Sequence, residues 1–406
     1  MLKNVIIVND FDYIQGGASK VAIQTANILK ESNPKLNVYF FSGCHDESTI
    51  LNKNVINICT NQGEALKDKN KLRGVFNGLY NIKVKNEFKN LLRTLNNKET
   101  IIHVHGWTKI LSSSVFDIAF KMNFKVVLTM HDYFTACPNG GYFNYKKNEI
   151  CYLKSMSWNC IKCNCDSRNY TFKLYRVLRQ FIQNKIVKLP DKLEYAISIS
   201  EFSEKILKKT LKSSTRIYRV YNPIDLDKNP EKVDYKKNKY FLYVGRVSKE
   251  KGVDIFCEAV SKAKVKGIVV GDGPELNHLK KEYPNIEFVG WKSSNEVKKY
   301  MRGAKALIFP SKWYEVAPLS PLEAMQYGVP VISSNCNAAK DYVNDDNKFE
   351  NINDLKEKLK FNKFSANKID LKKYSKEKYY ESIFNLFNLI LSYSEVSHGK
   401  IEKSKS

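Results

Sequence analysis

A glycine-rich, basic segment after residue 240 has the residue types and spacing of a site for a phosphate-bearing ligand. Gly245 follows an apolar run, Arg246 comes next, and Lys251 lies just before a helical pattern. An arginine holds two phosphate oxygens at once, a lysine adds a point charge, and a helix start presents free backbone N–H groups. A second such turn, GDGPE at 271–275 with Gly273 at its centre, lacks the G-x-G-x-x-G spacing of a dinucleotide site. Together the two turns predict a bound diphosphate.

Two glutamates further along add hydrogen-bond acceptors suited to a sugar. Glu315 and Glu323 are separated by seven residues and follow the apolar run 307–309. Ser320 and Pro321 are types preferred at an N-cap and at the first helical position, so Glu323 is predicted in the first turn of a helix. Carboxylates at such places accept hydrogen bonds from sugar hydroxyls. A capping box of Ser320 with Glu323 would account for the second glutamate without any ligand.

In the first half of the chain, histidines follow two predicted strands. Ile101–Val104 runs into His105, and Val126–Thr129 is soon followed by His131 and Tyr133. Ligands of parallel sheets bind beyond the carboxyl ends of the strands, so His131 is predicted to be catalytic. His105 and Tyr133 are candidates for contacts with an acceptor molecule.

A pair of glycines, Gly16 and Gly17, follows the first predicted strand and opens a helical pattern. Backbone N–H groups at such a turn can face a phosphate. A glycine pair also occurs where a helix is merely interrupted, so the pair alone is a weak signal.

Five of the nine cysteines lie close together, between positions 137 and 165. A cytoplasmic chain does not hold such cysteines as structural disulfides. Thiolates at this density can bind zinc tetrahedrally, so a structural zinc is one prediction, and a reduced, partly buried loop is the other. The five residues are Cys137, Cys151, Cys160, Cys163 and Cys165.

The elements that must position these residues alternate between short apolar runs and helical patterns. Such alternation predicts βαβ units, and 406 residues are enough for two domains. The predicted fold class is therefore α/β, with two Rossmann-like parallel-sheet domains facing a central cleft. The predicted divisions are an acceptor-side domain (1–221, with the cysteine-rich insertion 137–165), a linker (222–238), a donor-side domain (239–375), a C-terminal helix packing back on the first domain (376–394) and a disordered tail (395–406).

These motifs, in this order, resemble glycosyltransferase family 4, which are retaining enzymes of the GT-B fold. The matching segments are NPID at 222–225, GRVSKEKG at 245–252, GDGPE at 271–275 and PSKWYEVAPLSPLEAMQYGVPVISS at 310–334. Some polysaccharide-pathway members carry a similar cysteine-rich insertion. One departure is that 335–351 has no glycine, whereas the family usually has a glycine-containing acidic loop there.

The resemblance implies roles for the candidate residues. Arg246 and Lys251 would neutralise the leaving diphosphate, Glu315 would contact the transferring sugar, Glu323 the nucleotide ribose, and His131 the reacting centre. The co-substrate would be a nucleotide-diphosphate sugar, transfer would retain the anomeric configuration, and no metal or other cofactor would be required. Residues implied to line the donor pocket are Gly16, Gly17, Gly245, Gly273, Ala317, Pro318 and Leu319.

Charge and hydropathy restrict where the protein works. The apolar run 5–8 is too short for a signal peptide, and no run approaches the length of a transmembrane helix, so a cytoplasmic location is predicted. The net charge of +25 suits either an anionic membrane surface or solvated lysine-rich faces. No nucleic-acid partner is predicted.

A basic amphipathic helix over 168–188 could contact that membrane, on the inner face of the plasma membrane. Its apolar stripe is predicted to pack in the core, with Lys173, Arg176 and Arg179 turned toward lipid phosphates. The stripe consists of Phe172, Tyr175, Leu178, Ile182 and Ile186.

The function that the resemblance implies is transfer of a hexose-type sugar to a glycan or lipid-linked acceptor, in bacterial surface polysaccharide biosynthesis. A sugar-nucleotide epimerase of the same fold would use the same cleft without an acceptor. A basic nucleic-acid-binding protein would have no use for paired glutamates. A catalytically silent scaffold of this fold would have no use for the intact set of basic and acidic residues.

Overall fold

The first half of the chain forms a parallel sheet from short runs rich in β-branched and aromatic residues. The computed structural model describes residues 1–227 and 230–402, with side-chain positions as far as residue 393. The strands are β1 (Asn4–Phe11), β2 (Asn37–Cys44), β3 (Ile56–Cys59), β4 (Thr100–Val104), β5 (Lys125–Thr129), β6 (Phe143–Asn144), β7 (Glu149–Ile150), β8 (Tyr195–Ser198) and β9 (Arg216–Arg219). The helices are α1 (Gly17–Ser32), α2 (Lys71–Leu79), α3 (Ile82–Arg93), α4 (Ser114–Lys121), α5 (Trp158–Lys162), α6 (Tyr170–Phe181), α7 (Leu189–Lys192) and α8 (Glu201–Leu207).

The strand order of this first sheet is β3-β2-β1-β4-β5-β8-β9, and each neighbouring pair is parallel. The inner strand β1 is buried along its whole length, as expected for a parallel sheet covered on both faces. Val104 pairs with Leu128, so the carboxyl ends of β4 and β5 lie side by side. The short strands β6 and β7 form a separate antiparallel hairpin inside the cysteine-rich insertion.

The second half forms a six-stranded sheet of the order β12-β11-β10-β13-β14-β15, with parallel pairs throughout. Two apolar cores, one on each face of the sheet, hold its helices in place. The strands are β10 (Tyr240–Val244), β11 (Lys266–Val270), β12 (Glu287–Gly290), β13 (Ala304–Phe309), β14 (Val331–Ser334) and β15 (Lys348–Phe349). The helices are α9 (Val253–Ala263), α10 (Leu276–Glu282), α11 (Ser294–Arg302), α12 (Leu319–Met325), α13 (Ile352–Phe361) and α14 (Lys376–Glu402). The predicted fold class of two parallel α/β domains is confirmed.

The last helix, α14, returns to the first domain. Its apolar side chains belong to the core of the first sheet, where Phe387 is fully buried with its ring centroid 5.4 Å from that of His103. The Tyr379 hydroxyl lies 2.7 Å from the Thr25 hydroxyl of α1. The helix continues to Glu402, so most of the segment predicted to be a disordered tail is helical, and 403–406 lie outside the described residues.

Helix α6 lies the opposite way round from the prediction, which was wrong on this point. Lys173 is fully buried, and the side chains of Arg176 and Arg179 bond to groups of the first domain. Leu178 and Ile186, predicted in the core, are exposed instead. Periodicity identifies an apolar stripe but does not show that buried acceptors elsewhere can pair with the cations on the opposite face.

A π-helical turn, Ile182–Val187, continues α6 after Phe181. Within residues 1–227 and 230–402, no helix has both the length and the apolar character needed to cross a bilayer.

We expect Phe387→Ala to lower the free energy of unfolding by about 3–5 kcal/mol, because it leaves a cavity where α14 enters the first core. Leu389→Ala is the control, since Leu389 lies two residues away on the same helix but is 40% exposed. Urea-induced unfolding measures both. Equal effects of the two substitutions would show that α14 does not pack on the first domain as described.

Candidate functional site

A cavity of about 350 Å³ lies between the domains, lined by loops that follow strands of both sheets. This is where parallel α/β sheets bind ligands. The cavity brings together eight of the residues predicted from sequence. They are Gly17, His131, Tyr133, Lys251, Glu315, Ala317, Pro318 and Leu319.

An ion pair crosses the floor of this cavity. The ammonium group of Lys251 bonds to the Glu315 carboxylate, whose same oxygen accepts a 2.9 Å hydrogen bond from the Ser311 hydroxyl. Glu315 is only 9% exposed, so its charge needs these partners. Lys251 also lies 5.2 Å from the centroid of the Trp313 ring.

Gly252 allows this pair to form. It has a φ of +68°, and a Cβ there would come within 2.0 Å of the Pro310 carbonyl oxygen. A larger residue would push the loop of Lys251 away from the loop of Glu315. The glycine at the end of the GRVSKEKG segment therefore brings the cation and the carboxylate together.

The loop that carries Glu315 is seated against the first domain by aromatic rings, which sequence reasoning missed. The Tyr314 ring centroid lies 5.4 Å from that of Phe202 and 6.4 Å from those of Tyr133 and Tyr142. A Cβ on Gly141 would come within 3.0 Å of the Trp313 ring. The adjacent aromatics at 313–314 were visible in the sequence, but nothing local indicated that they face the other domain.

The two glycine-rich turns contact each other and do not line the cavity. A Cβ on Gly271 would lie 1.9 Å from the Gly245 carbonyl oxygen, and one on Gly273 would lie 2.3 Å from that of Val247. Both glycines are needed because the turns touch backbone to backbone. The Arg246 side chain is exposed, does not line the cavity, and has no hydrogen bond or ion pair within the described residues.

Three histidines form a hydrogen-bonded row that leads away from the cavity. His131 Nε2 lies 2.8 Å from His105 Nδ1, and His105 Nε2 lies 3.3 Å from His103 Nδ1. His103 Nε2 lies 2.7 Å from the Thr129 hydroxyl. His105 is buried behind His131, so its prediction as an acceptor contact was wrong, although Tyr133 does line the cavity. The parallel pairing of β4 and β5 was the signal that could have placed these rings together.

This row leaves His131 with a defined role for each ring nitrogen. A neutral imidazole has one donor and one acceptor nitrogen, so all three rings must point their N–H groups in the same direction along the row. Since Nε2 is engaged by His105, Nδ1 is the nitrogen left for a ligand. If the Nε2–H of His131 donates to His105, Nδ1 accepts a hydrogen bond from the ligand. If His105 donates to Nε2 instead, the Nδ1–H donates to the ligand.

Burial keeps the rings neutral. It lowers the pKa of His131 to about 3 and that of His103 to about 3, and it lowers the pKa of His105 as well. Beside them, burial raises the pKa of the Asp132 carboxyl to about 6, against the lowering effect of a backbone N–H and of Arg179. A neutral histidine and a weakly acidic carboxyl therefore share the same wall of the cavity.

The N-terminus of α1 also reaches the cavity. Gly17 and Ala18 line it, and a Cβ on Gly16 or Gly17 would meet no atom within 4 Å. The partial positive charge at the start of this 16-residue helix favours an anion in that open space.

Glu323 lies in a neighbouring cavity of about 220 Å³ rather than in the main one. Helix α12 begins at Leu319, before Ser320, and has no side-chain cap, so the capping-box interpretation of Glu323 was wrong. Its carboxylate is 3.7 Å from the Lys20 ammonium group, which also lies 3.1 Å from Asp225. Burial raises the pKa of Glu323. Lys20 thus connects α1 of the first domain to the second domain.

The cysteine-rich insertion does not have the geometry of a zinc site. Within the parts of the chain that the structure describes, no three His, Cys, Asp or Glu side chains are arranged to hold a metal ion. The Lys173 ammonium group occupies the centre of the cluster, 3.3 Å from Cys165 Sγ and 3.6 Å from Cys160 Sγ. A cation at that position repels a metal ion. All five cysteines of the predicted set, including Cys137, Cys151 and Cys163, are free thiols.

Known proteins are similar to parts of this chain. Residues 225–379 match the model of the family described as Glycosyl transferases group 1. An uncharacterized 41.2 kDa protein in the cps region of Klebsiella pneumoniae is 26% identical over 63% of this chain and 66% of its own length. The UDP-Gal:alpha-D-GlcNAc-diphosphoundecaprenol alpha-1,3-galactosyltransferase of Escherichia coli is 27% identical over 34% of this chain and 41% of its own. The chain thus spans about two thirds or less of these curated relatives.

Solved structures share the fold along nearly the whole chain. Anabaena Alr3699/HepE in complex with UDP and glucose covers 95% of this chain and 99% of its own, with a TM-score of 0.63 and 14% identity. The lipopolysaccharide outer core galactosyltransferase WaaB covers 97% and 100%, with a TM-score of 0.59 and 17% identity. These neighbours are GT-B glycosyltransferases, and the two-domain fold is GT-B.

We expect the row of three histidines to make the free energy of unfolding depend on pH. An exposed histidine in the unfolded chain protonates near about pH 6.5, whereas the folded rings stay neutral down to about pH 3. The unfolded chain binds more protons in that window, so the free energy of unfolding falls as the pH falls below about 6.5, by up to about 1.4 kcal/mol per pH unit for each ring.

Urea unfolding at several pH values between 7.5 and 5 measures this slope on the native chain and two variants. His105→Gln should flatten it, and His278→Gln should not, because His278 is exposed on α10. A slope that neither substitution changes would mean that the row does not stay neutral in the folded protein.

Proposed function

We propose that this protein is a retaining glycosyltransferase that transfers a hexose-type sugar from a nucleotide-diphosphate donor to a glycan or lipid-linked acceptor. The observation that carries the proposal is the Lys251–Glu315 pair in a cavity shared by both domains, inside a segment that matches group 1 glycosyl transferases. A cytoplasmic role in bacterial surface polysaccharide synthesis follows by analogy with the relative encoded in a cps region.

The ion pair supplies two groups that a sugar diphosphate would separate. An incoming diphosphate offers Lys251 more negative charge than one carboxylate does, so the ammonium group turns to the phosphates. Glu315 is then free to accept hydrogen bonds from sugar hydroxyls. Ser311 keeps the freed carboxylate in place, since its hydroxyl donates to Glu315 independently of the lysine.

The first domain would complete the site from the opposite side. The α1 N-terminus at Gly17 faces the position of the diphosphate, and His131 presents Nδ1 to the sugar. As the bond between the anomeric carbon and the phosphate oxygen breaks, negative charge grows on the phosphate. Lys251 and the helix terminus stabilise that charge, and the acceptor hydroxyl gives its proton to the departing phosphate oxygen as its oxygen bonds to the same face of the sugar.

Nucleotide recognition is assigned to the neighbouring cavity. Glu323 would accept hydrogen bonds from the ribose hydroxyls, and Lys20 would then exchange a carboxylate for phosphate oxygens. The Arg246 side chain, which is exposed and has no ion pair within the described residues, would reach the diphosphate only when the domains move closer together. The HepE structures contain UDP and glucose, which fits a donor of this class.

We expect Lys251→Ala to lower turnover by about 10²–10³-fold, because charge on the leaving diphosphate goes uncompensated. Arg246→Ala should also lower it by orders of magnitude. Lys249→Ala is the control, since Lys249 is an exposed lysine of the same loop outside the cavity. Steady-state release of nucleoside diphosphate measures all three. Full activity in both Lys251→Ala and Arg246→Ala would remove the proposed role of the basic pair.

A panel of nucleotide sugars, assayed for released diphosphate with and without an acceptor, separates transfer from epimerisation. We expect donor consumption that depends on added acceptor, with the sugar recovered in the product. Interconversion of two nucleotide sugars without any acceptor would instead identify an epimerase. Salt-sensitive binding of RNA or DNA that survives Glu315→Ala would favour a nucleic-acid-binding protein.

A further inference from the structure

Helix α6 presents an apolar face to solvent. Leu174, Leu178 and Phe181 follow one another at intervals of four and three residues, which places them on one side of the helix, and each is 44–48% exposed. Ile186, in the π-helical turn that follows, is also exposed. The cations of α6 are on the inner side instead. Arg176 Nε lies 2.7 Å from the buried carboxylate of Asp166.

Helix α2 adds a second exposed apolar row beside the first. Leu72 is 73% exposed and Phe76 is 67% exposed, and Val75 lies between them on the same side. The two helices touch where the Tyr175 hydroxyl of α6 lies against Gly78 of α2, so closely that a Cβ there would be 1.9 Å from it. We name the combined surface of Leu72, Val75, Phe76, Leu174, Leu178 and Phe181 the α2–α6 face.

Exposed apolar side chains grouped on two touching helices mark an interaction site in a globular protein. The charges around it indicate the kind of partner. Exposed lysines flank the α2–α6 face on both helices, at 69 and 71 beside α2 and at 185 and 188 after α6. Asp68 is the sole acidic residue from 65 to 86, and it is bonded to Arg73. Asp166 is the sole acidic residue from 160 to 190, and it is buried.

An apolar centre with a cationic rim and no unpaired carboxylate complements an anionic bilayer. Side chains such as Phe and Leu enter the boundary between headgroups and acyl chains, and lysines lie at the phosphates. A second copy of the same surface would instead bring two cationic rims together, which opposes self-association. The net charge of +25 adds long-range attraction toward anionic lipid.

We propose that the α2–α6 face docks the protein on an anionic lipid bilayer. The amphipathic arrangement differs from the one the sequence predicts, since the apolar side chains of α6, rather than its cations, face the membrane. The cations needed at the lipid phosphates come from the ends of the two helices.

Docking in this orientation also selects the acceptor, a consequence that rests on the transferase activity proposed above. A groove of about 810 Å³ runs between the cysteine-rich insertion and the π-helical turn, and Tyr314 borders both this groove and the candidate site. Lys154, Lys185 and Lys209 line it. Its one carboxylate, Asp191, lies 3.2 Å from the Lys212 ammonium group. A lipid-linked acceptor that bears phosphate fits this groove, which opens next to the exposed Ile186.

Co-sedimentation of the full chain with vesicles tests the docking. We expect binding to vesicles of phosphatidylcholine with phosphatidylglycerol, weakened by salt, and at least tenfold weaker binding to phosphatidylcholine alone. The double variant Phe76→Glu/Leu178→Glu should lose at least tenfold in affinity for the anionic vesicles. The control Phe361→Glu/Leu389→Glu makes the same residue changes at exposed apolar positions of α13 and α14, and it should bind as the native chain does.

Three results would overturn the proposal. They are the absence of binding to anionic vesicles, equal loss in the test and control variants, and a native dimer that the test variant alone dissociates. If the test variant does not fold, amide hydrogen exchange of the native chain decides, since docking requires slower exchange over 71–79 and 170–187 when vesicles are added.

A separate kinetic assay tests the proposed class of acceptor. With a lipid diphosphate acceptor in vesicles, the test variant should raise the apparent KM at least tenfold, and with a short-chain, water-soluble form of that acceptor it should not. Vesicle binding without any sugar transfer would refute the transferase while leaving the docking intact. Equal use of a soluble glycan and the lipid diphosphate would refute the acceptor class alone.

Discussion

The ion pair between Lys251 and Glu315 is the interaction on which the candidate site depends. A carboxylate that is 9% exposed cannot remain charged without a partner, and the lysine reaches it because Gly252 lets two loops of the second domain meet. Each partner neutralises the other until a ligand offers a better one. The ion pair therefore keeps both side chains in position when no substrate is bound. A substrate can replace either partner of the pair, which would not be possible with two apolar residues.

The loop that carries Glu315 also joins the two domains. Tyr314 packs among aromatic rings of the first domain, and Lys20 of α1 reaches Glu323 and Asp225 of the second. Some of these contacts between the domains are made by residues that we propose bind the donor, such as Lys20 and Glu323. Binding of the donor and the relative position of the domains are therefore coupled, since one side chain such as Lys20 cannot serve a carboxylate and a phosphate equally at the same time.

Two features break the usual rules of folding, and both point to function. Three neutral histidines form a row that starts at the cavity, and His103 and His105 are buried behind His131, where apolar side chains would cost less. Helix α6 buries its cations and exposes its leucines, which is the reverse of an ordinary amphipathic surface helix. Stability alone explains neither arrangement. The first orients the ring of His131, and the second leaves an apolar surface for a partner.

The fold class and the chemistry of the candidate site could be predicted from the sequence, because strand and helix periodicity, glycine turns and charged residues after strands are local patterns. The sequence likewise predicts that Lys251, Glu315 and His131 lie near a cleft. Only the tertiary structure decided that His105 lies behind His131, that Arg246 lies outside the cavity, and that Lys173 occupies the centre of the cysteine cluster. These outcomes depend on contacts between segments far apart in the chain. Whether a charged side chain is buried or exposed depends on the partners that distant segments supply, and periodicity carries no information about them.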